Sequence, residues 1–348
     1  MHIFIDEPVS YQFVRGLMVV RGWVAGNQKI DRILVTVGED VVQADIFDRA
    51  DVEIKLDGEC DQVCGFRCEV ECARGVGEQV VEVSVYSSDN LVKEKHRRIL
   101  VLKSDLSVDP DSQLVVLHIP KTAGTTLRGI VDDVYGDRFV YPIYEKNDVN
   151  HDFSDFLKLS NEEKAKIRCF IGHVHYGLHA HIDGGPGVQY LSVLRDPVSR
   201  VVSLYRHIIG TSWHPLYDDV MGMSVADFVV SGVTKQTNNH QARVISGKDC
   251  EYGECDNSML IGALKNIASP NFAVLGLTER FDDTYRLIRS MFNWPKLDYK
   301  TRNVSKGEAL ELSARDTDAI IEYNELDIEL YKRGEQLFDL QIDQILKP

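Results

Sequence analysis

The chain has 348 residues, 44% of them hydrophobic and 27% charged, the balance of a folded globular protein with apolar material for one large core or two smaller ones. Its formal net charge of -15 argues against the basic footprint on which nucleic-acid and anionic-membrane binders depend; it leaves room for a polyanionic substrate held by a local basic patch. No run of roughly 18 apolar residues offers a membrane span. The N-terminus, Met1 to Glu7, lacks the basic region and apolar stretch of a signal peptide; with an odd count of seven cysteines, the expected compartment is the reducing cytoplasm.

Residues 1–102 read as all-β. Short strand-like runs at Leu17 to Val24, Ile33 to Val37, Val41 to Ile46, Gly65 to Cys72 and Gln79 to Tyr86 are separated by turn signals such as Gly26-Asn27 and Gly38-Glu39-Asp40. Their regular spacing predicts a small β-sandwich. Cys60, Cys64, Cys68 and Cys72 are evenly spaced and invite a metal reading. However, Phe66, Cys68, Val70 and Cys72 alternate with Arg67, Glu69 and Glu71, the period of a half-buried strand in which free cysteine acts as a small apolar residue. Zinc ligands come in paired short spacings, so no metal is expected here. The region holds no catalytic constellation and reads as an interaction or substrate-presenting module. Residues 103–113, polar and carrying Pro110, read as a linker.

From residue 114 to 348 strands and helices alternate. Leu114 to Ile119 is a continuous apolar run suited to a buried parallel strand. Thr125 to Tyr135 has helical spacing, with Leu127, Ile130, Val131 and Val134 on one face. Val188 to Leu194 predicts a second strand, and Asp196 to Ile209 a helix with an Asp cap and Pro197 in first position. Ala273 to Leu277 predicts a third strand, followed by an amphipathic helix through Met291 and two more helices within 307–338. The predicted class is α/β, a central parallel sheet flanked by helices.

Between the first strand and its helix lies His118-Ile119-Pro120-Lys121-Thr122-Ala123-Gly124-Thr125-Thr126. A loop entering a helix N-terminus presents unpaired amides and the positive end of the helix dipole to an anion. Gly124 permits close backbone approach, Lys121 adds a mobile charge, and Thr122, Thr125 and Thr126 add hydroxyl donors. An ATP-type P-loop would need its lysine after the second glycine, whereas Lys121 precedes Gly124.

The run resembles the 5′-phosphosulfate loop of carbohydrate sulfotransferases that use PAPS (3′-phosphoadenosine 5′-phosphosulfate), above all the heparan sulfate/uronyl 2-O-sulfotransferase group. The resemblance continues in order. Tyr190 to Tyr205 resembles the segment whose arginine before Asp-Pro and later helical serine bind the donor's 3′-phosphate, which implies Arg195 and Ser203. Fork-shaped guanidinium at a strand end suits phosphate oxygens. Cys169 to Gly177 resembles the Gly-His-Val segment that carries the general base, which implies His173. A histidine near neutral pKa suits removal of a hydroxyl proton. Where the group shows His-Gly-His, this chain has Ile171; His175, two residues after His173, is the candidate assistant. Phe272 to Phe281 resembles a late strand and helix start. Tyr299 to Lys306 resembles the basic loop over the nucleotide, which makes Lys300, Arg302 and Lys306 candidates for 3′-phosphate contact.

The resemblance implies a P-loop-like sulfotransferase domain, PAPS as donor, PAP (3′,5′-ADP) as product, no metal, and a carbohydrate or other hydroxyl-bearing acceptor. Trp213 and Tyr217 are aromatic candidates for acceptor contact. Asn238, Asn239, Gln241 and Arg243 read as the solvated face of a helix. The alternatives are an ATP-dependent phosphotransferase using the same loop and a non-catalytic glycan-binding protein.

Overall fold

The computed structural model describes residues 1–49, 51–52, 60–72, 75–103, 107–145, 150–182, 187–299 and 310–346. It divides into two compact units, Met1–Asp105 with Ala268–Pro270, and Leu106–Ile267 with Asn271–Pro348.

Among the described residues the first unit holds nine strands in two sheets. One sheet has the order β1 (His2–Glu7), β3 (Leu17–Gly26), β7 (Gln62–Glu71), β6 (Asp45–Asp48). The other has the order β2 (Gln12–Val14), β9 (Asn90–Val101), β8 (Gly77–Ser87), β4 (Arg32–Val37), β5 (Asp40–Gln43). Alternating residues of both sheets meet in one core, Val20, Val24, Phe66, Cys68 and Val70 from the first and Ile33, Val35, Val81, Val83 and Ile99 from the second. Burying each such side chain favours folding by roughly 1.5–3 kcal/mol. Cys64, Cys68 and Cys72 lie in this core as free thiols, where the strand period of Phe66 to Cys72 puts them. Val41 to Ile46, read as one strand, is two: β5 pairs with β4 while β6 pairs with β7 in the other sheet. The chain changes sheets at buried Ala44, whose amide donates to Ile33 O at 2.9 Å.

The second unit is built on a parallel sheet of order β11 (Val140–Ile143), β12 (Cys169–Gly172), β10 (Gln113–Leu117), β13 (Val188–Leu194), β14 (Phe272–Leu277). Every residue of β10, β12 and β14 is buried, which is why these segments read as continuous apolar runs rather than alternating ones. The helices of seven residues or more are α1 (Gly124–Tyr135), α2 (Pro197–Ile209), α3 (Val225–Ser231), α4 (His240–Ser246), α5 (Asn257–Ile267), α6 (Phe281–Phe292), α7 (Ala314–Tyr323) and α8 (Glu325–Leu346). No helix among the described residues is long and apolar enough to cross a membrane.

Register places the chemistry. Leu117, at the end of β10, is level with Gly172 of β12 and Ser192 of β13. The connection after β10 runs to β11 on one side, and β14, which follows β13, lies on the other. The ends of β10 and β13 therefore flank a topological switch point, where open parallel sheets leave a crevice at their carboxyl edge.

Candidate active site

At that edge lies a cavity of ≈ 760 Å³ lined, among others, by Lys121, Ala123, Gly124, Thr125, His173, Arg195 and Ser203. Three segments of sequence thus converge, the loop after β10, the residue after β12 and the turn after β13 with its helix, and each is held there by a separate local device.

The loop after β10 carries two left-handed residues that are not glycine, Lys121 at φ 71 and Ala123 at φ 63, with Thr122 between them outside that region. Each costs of order 1 kcal/mol or more, so the surroundings must impose them. Alternating backbone hand of this kind is the geometry from which concave anion nests are made. Buried Thr122 fixes it from below, its hydroxyl donating to Ile119 O at 2.8 Å. Arg195 fixes it from the side, Nη1 donating to Lys121 O at 3.0 Å. Helix α1 begins on Ala123 with no side-chain cap. Thr126 is buried, and of the three threonines only Thr125 lines the cavity. Burial, and then the neighbouring Arg195, lowers the Lys121 pKa.

Gly124 is required for a reason the motif alone does not show. A Cβ there would lie 1.7 Å from Nε2 of His118, whose ring rests directly on the glycine. The tight approach is made by this chain's own imidazole.

Arg195 follows β13. Its backbone is held at both ends by Gln241: Arg195 N donates to Oε1 at 2.9 Å, and Nε2 donates to Arg195 O at 2.8 Å. Its Nε is buried with no hydrogen-bond partner among the described residues; Glu279 Oε1 stands 4.0 Å away. The Arg195 side chain lines the cavity, and a guanidinium so placed can fork onto the oxygens of an anion. Ser203 lies further along α2 and also lines the cavity. Arg200 is wholly buried and donates to Gln236 O at 2.6 Å, so it belongs to the interior.

His118 and His173 follow adjacent strand ends, and their backbones are tied in sequence. His118 N donates to Gly172 O and His173 N to Ile143 O, both at 2.9 Å. Their rings meet edge to face with centroids 5.0 Å apart, and Tyr144 packs 4.8 Å from His173. A 2.7 Å hydrogen bond joins Tyr144 Oη to His118 Nδ1. Burial, reinforced by the His173, Arg128 and Lys121 charges, lowers His118 to about 3. Enclosure by protein lowers His173 to about 4, although its ring opens to the cavity. Burial raises Tyr144 to about 12. At neutral pH both imidazoles are uncharged, and His173 presents a free proton acceptor to the cavity.

His175 does not line the cavity; it is half-buried on the side of Asp249 and Arg243, whose charges act on it after desolvation. Ile171 is wholly buried in β12, so the histidine expected there by resemblance would point into the core; the second imidazole beside His173 is His118. Trp213 sits on the cavity wall, 82% exposed, while Tyr217 does not line it. Lys300, Arg302 and Lys306 lie outside the described residues.

The reading of Asn238, Asn239, Gln241 and Arg243 as a solvated face is overturned: all are buried. Asp327 of α8 accepts from the amides of Gln241 and Ala242 at 3.1 and 2.7 Å, and so caps α4. In return Asn239 Oδ1 accepts from Leu326 N and Asp327 N at 2.9 and 3.2 Å, and so caps α8. Two helix N-termini cap each other across 85 or more residues of sequence. Reciprocal satisfaction lets this polar cluster be buried, and it presents Gln241 to Arg195. Local sequence holds no sign of either partner.

Residues 104–332 carry the pattern of the sulfotransferase family. Heparan-sulfate 6-O-sulfotransferase 2 of Gallus gallus is 24% identical over 292 residues, covering 69% of this chain and 70% of that protein. Its Homo sapiens counterpart is 25% identical over 285 residues, and there the match covers 69% of this chain but 46% of the relative, so the chain spans just under half of the human protein. A sulfotransferase from Alicyclobacillus acidocaldarius overlays 66% of this chain and 96% of its own at 13% identity and a TM-score of 0.39. With its parallel sheet, its phosphate-type loop and a family match that spans residues 104–332, well over half of its length, this chain belongs to the sulfotransferase family.

Proposed function

We propose that the protein transfers a sulfuryl group from PAPS to a hydroxyl of a carbohydrate. The observation that carries this reading is the convergence of an uncapped, left-handed loop at a helix start, a lining arginine and a neutral imidazole on one cavity. The Lys121–Thr126 loop receives the 5′-phosphosulfate. Arg195 and Ser203 receive the 3′-phosphate, with Lys300 and Arg302 as further basic candidates from sequence. The neutral state of His173 lets it take the acceptor's proton as the hydroxyl oxygen bonds to sulfur and the sulfur–oxygen bond to the nucleotide breaks. Lys121 and the loop amides carry the charge that develops on the departing bridging oxygen. No step is assigned to a metal, and turnover is expected to persist in EDTA.

The acceptor class rests on the named relatives, which act on heparan sulfate. They are 6-O enzymes, whereas the motifs resemble the 2-O group; disaccharide analysis of a sulfated heparan-type product separates the two positions. Trp213 supplies an exposed aromatic face on the wall where a sugar ring would lie.

The test is turnover of labelled PAPS by His173→Ala and Lys121→Ala, each expected to lose at least about 100-fold. Activity near wild type in either variant removes that residue from the mechanism. PAP is expected to raise Tm where Mg-ATP does not; the reverse result would establish the phosphotransferase reading instead.

A further inference from the structure

Outside the lining of the cavity, on a loop that packs against Asn238 before α4, Cys250 and Cys255 are both half-buried, with Sγ atoms 3.5 Å apart. Among the described residues the free cysteines of the sandwich core and Cys169 of β12 are enclosed in apolar surroundings, and this pair differs from them in reaching solvent.

The loop that carries the pair is held tightly. Arg243, 1% exposed, spends all of its guanidinium N–H groups on it and on Asn238. Nε donates to Asn238 O, Nη1 to Asp249 Oδ1 and Cys250 O, and Nη2 to Asn238 Oδ1 and Glu251 O, at 2.6–3.1 Å. Gly253, at φ 79, turns the chain back and donates its amide to Asn238 Oδ1 at 3.0 Å. Tyr252 pins the tip through its hydroxyl to Val229 O and Thr237 Oγ1. The two thiols are therefore presented to each other by backbone that is already ordered, and bond formation asks for an approach of roughly 1.5 Å between sulfurs.

We propose that Cys250 and Cys255 form a reversible disulfide, a thiol-oxidation site whose reaction partner is a low-molecular-weight disulfide such as oxidised glutathione. Cys250 attacks first, forming a mixed disulfide and releasing one glutathione thiol. Cys255, whose Sγ faces Asn238 Oδ1 at 3.4 Å, then attacks the Cys250 sulfur and releases the second. Two protein S–H bonds are exchanged for one S–S bond, and the oxidant leaves as two thiols, so electrons and protons balance. Closure staples the loop over the Arg243 guanidinium and against Asn238, which lies just before the helix that positions Arg195 through Gln241.

The experiment equilibrates the full chain in graded mixtures of reduced and oxidised glutathione, quenches with acid, alkylates and digests with trypsin. Both cysteines fall in one peptide, between Lys248 and Lys265. The expected result is a peptide that loses two hydrogens as oxidised glutathione rises and regains them with dithiothreitol, together with a reversible rise in Tm. Cys255→Ser is expected to stop at a glutathione adduct on Cys250, and Cys250→Ser to form neither adduct nor ring. A peptide that remains doubly alkylated in excess oxidised glutathione overturns the site. A stable adduct on Cys255 in Cys250→Ser overturns the assigned order of attack.

Discussion

The two strand-to-helix turns that flank the cavity have the same connectivity and opposite chemistry. After β10, α1 opens on a left-handed alanine with no side-chain cap. After β13, α2 opens on Asp196, whose carboxylate accepts from Ser199 N at 2.8 Å, with Pro197 at N1. One N-terminus is left without a side-chain cap, as the proposed anion site requires; the other is closed by its own sequence. The second turn therefore contributes through a side chain, Arg195, and that side chain reaches back to hold the first by donating to Lys121 O. An anion site at a helix start needs the cap withheld as well as the helix supplied.

The most direct way to break the open turn is Gly124→Ala. The new methyl would occupy the space of His118 Nε2, forcing the imidazole and the loop apart. We expect PAP affinity and turnover to fall by about two orders of magnitude or more, by calorimetry and labelled-donor assay, in line with misplacement of a catalytic constellation. Adding His118→Ala removes the obstacle and should return a measurable part of the PAP affinity. If the double variant binds no better than the single, the collision is not the cause.

Arg195→Ala tests the side-chain route. Loss of a charge-assisted contact to phosphate is worth about 1.5–3 kcal/mol, or roughly 10- to 100-fold in PAP affinity. The loss should be much smaller for adenosine 5′-phosphosulfate, which lacks the 3′-phosphate. An equal loss for both nucleotides would mean that Arg195 serves the loop alone. Gln241→Ala, which leaves the guanidinium but frees its backbone, should weaken PAP several-fold with the same selectivity for the 3′-phosphate.

These turns also show how far sequence carries. The strand run Val188 to Leu194 and the Asp196-Pro197 helix start are local signals, and the structure reproduces both. The Lys121 loop reads from sequence as a candidate anion site, and residue order alone distinguishes it from an ATP loop. His118 escaped notice because its role depends on lying over Gly124 and beside a ring from another strand, relations that register creates. Gln241 and its neighbours were misread for the converse reason. A polar run looks solvated until its partners are known, and Asn324 and Asp327 lie more than 80 residues away. Short edge strands such as β11 were invisible for want of length.

Acidification should stress the open turn, together with His240 of α4, whose pKa burial also lowers. His118 and His173 are held near 3 and 4 in the folded chain against an unfolded value of 6.5. A histidine whose folded pKa is depressed lets the unfolded chain bind more protons below 6.5, so its contribution is complete above that pH and is lost as pH falls toward 4. Tm should therefore decline from pH 6.5 to 4. His173→Gln should flatten part of that decline, and ring NMR at pH 5.5 should find both imidazoles uncharged. A protonated His173 ring at that pH would remove the basis for its neutral state at the cavity.

The smallest effect expected is at the closed turn, and it is the one that separates the two turns most cleanly. Asp196→Ala removes an N-cap whose loss typically costs about 1 kcal/mol. The cost should appear in chemical denaturation as a lower midpoint with an unchanged slope. Because α2 offers its N-terminus to its own aspartate, PAP affinity should not change. Backbone geometry at Arg195 is held separately by Gln241, so the arginine keeps its place when the cap is lost. If Asp196→Ala instead weakened PAP as much as Arg195→Ala, the cap would be part of the binding apparatus, and the division between an open and a closed turn would fail. If it strengthened PAP, the uncapped α2 would have become a second anion seat, and capping rather than strand position would decide which turn receives the nucleotide.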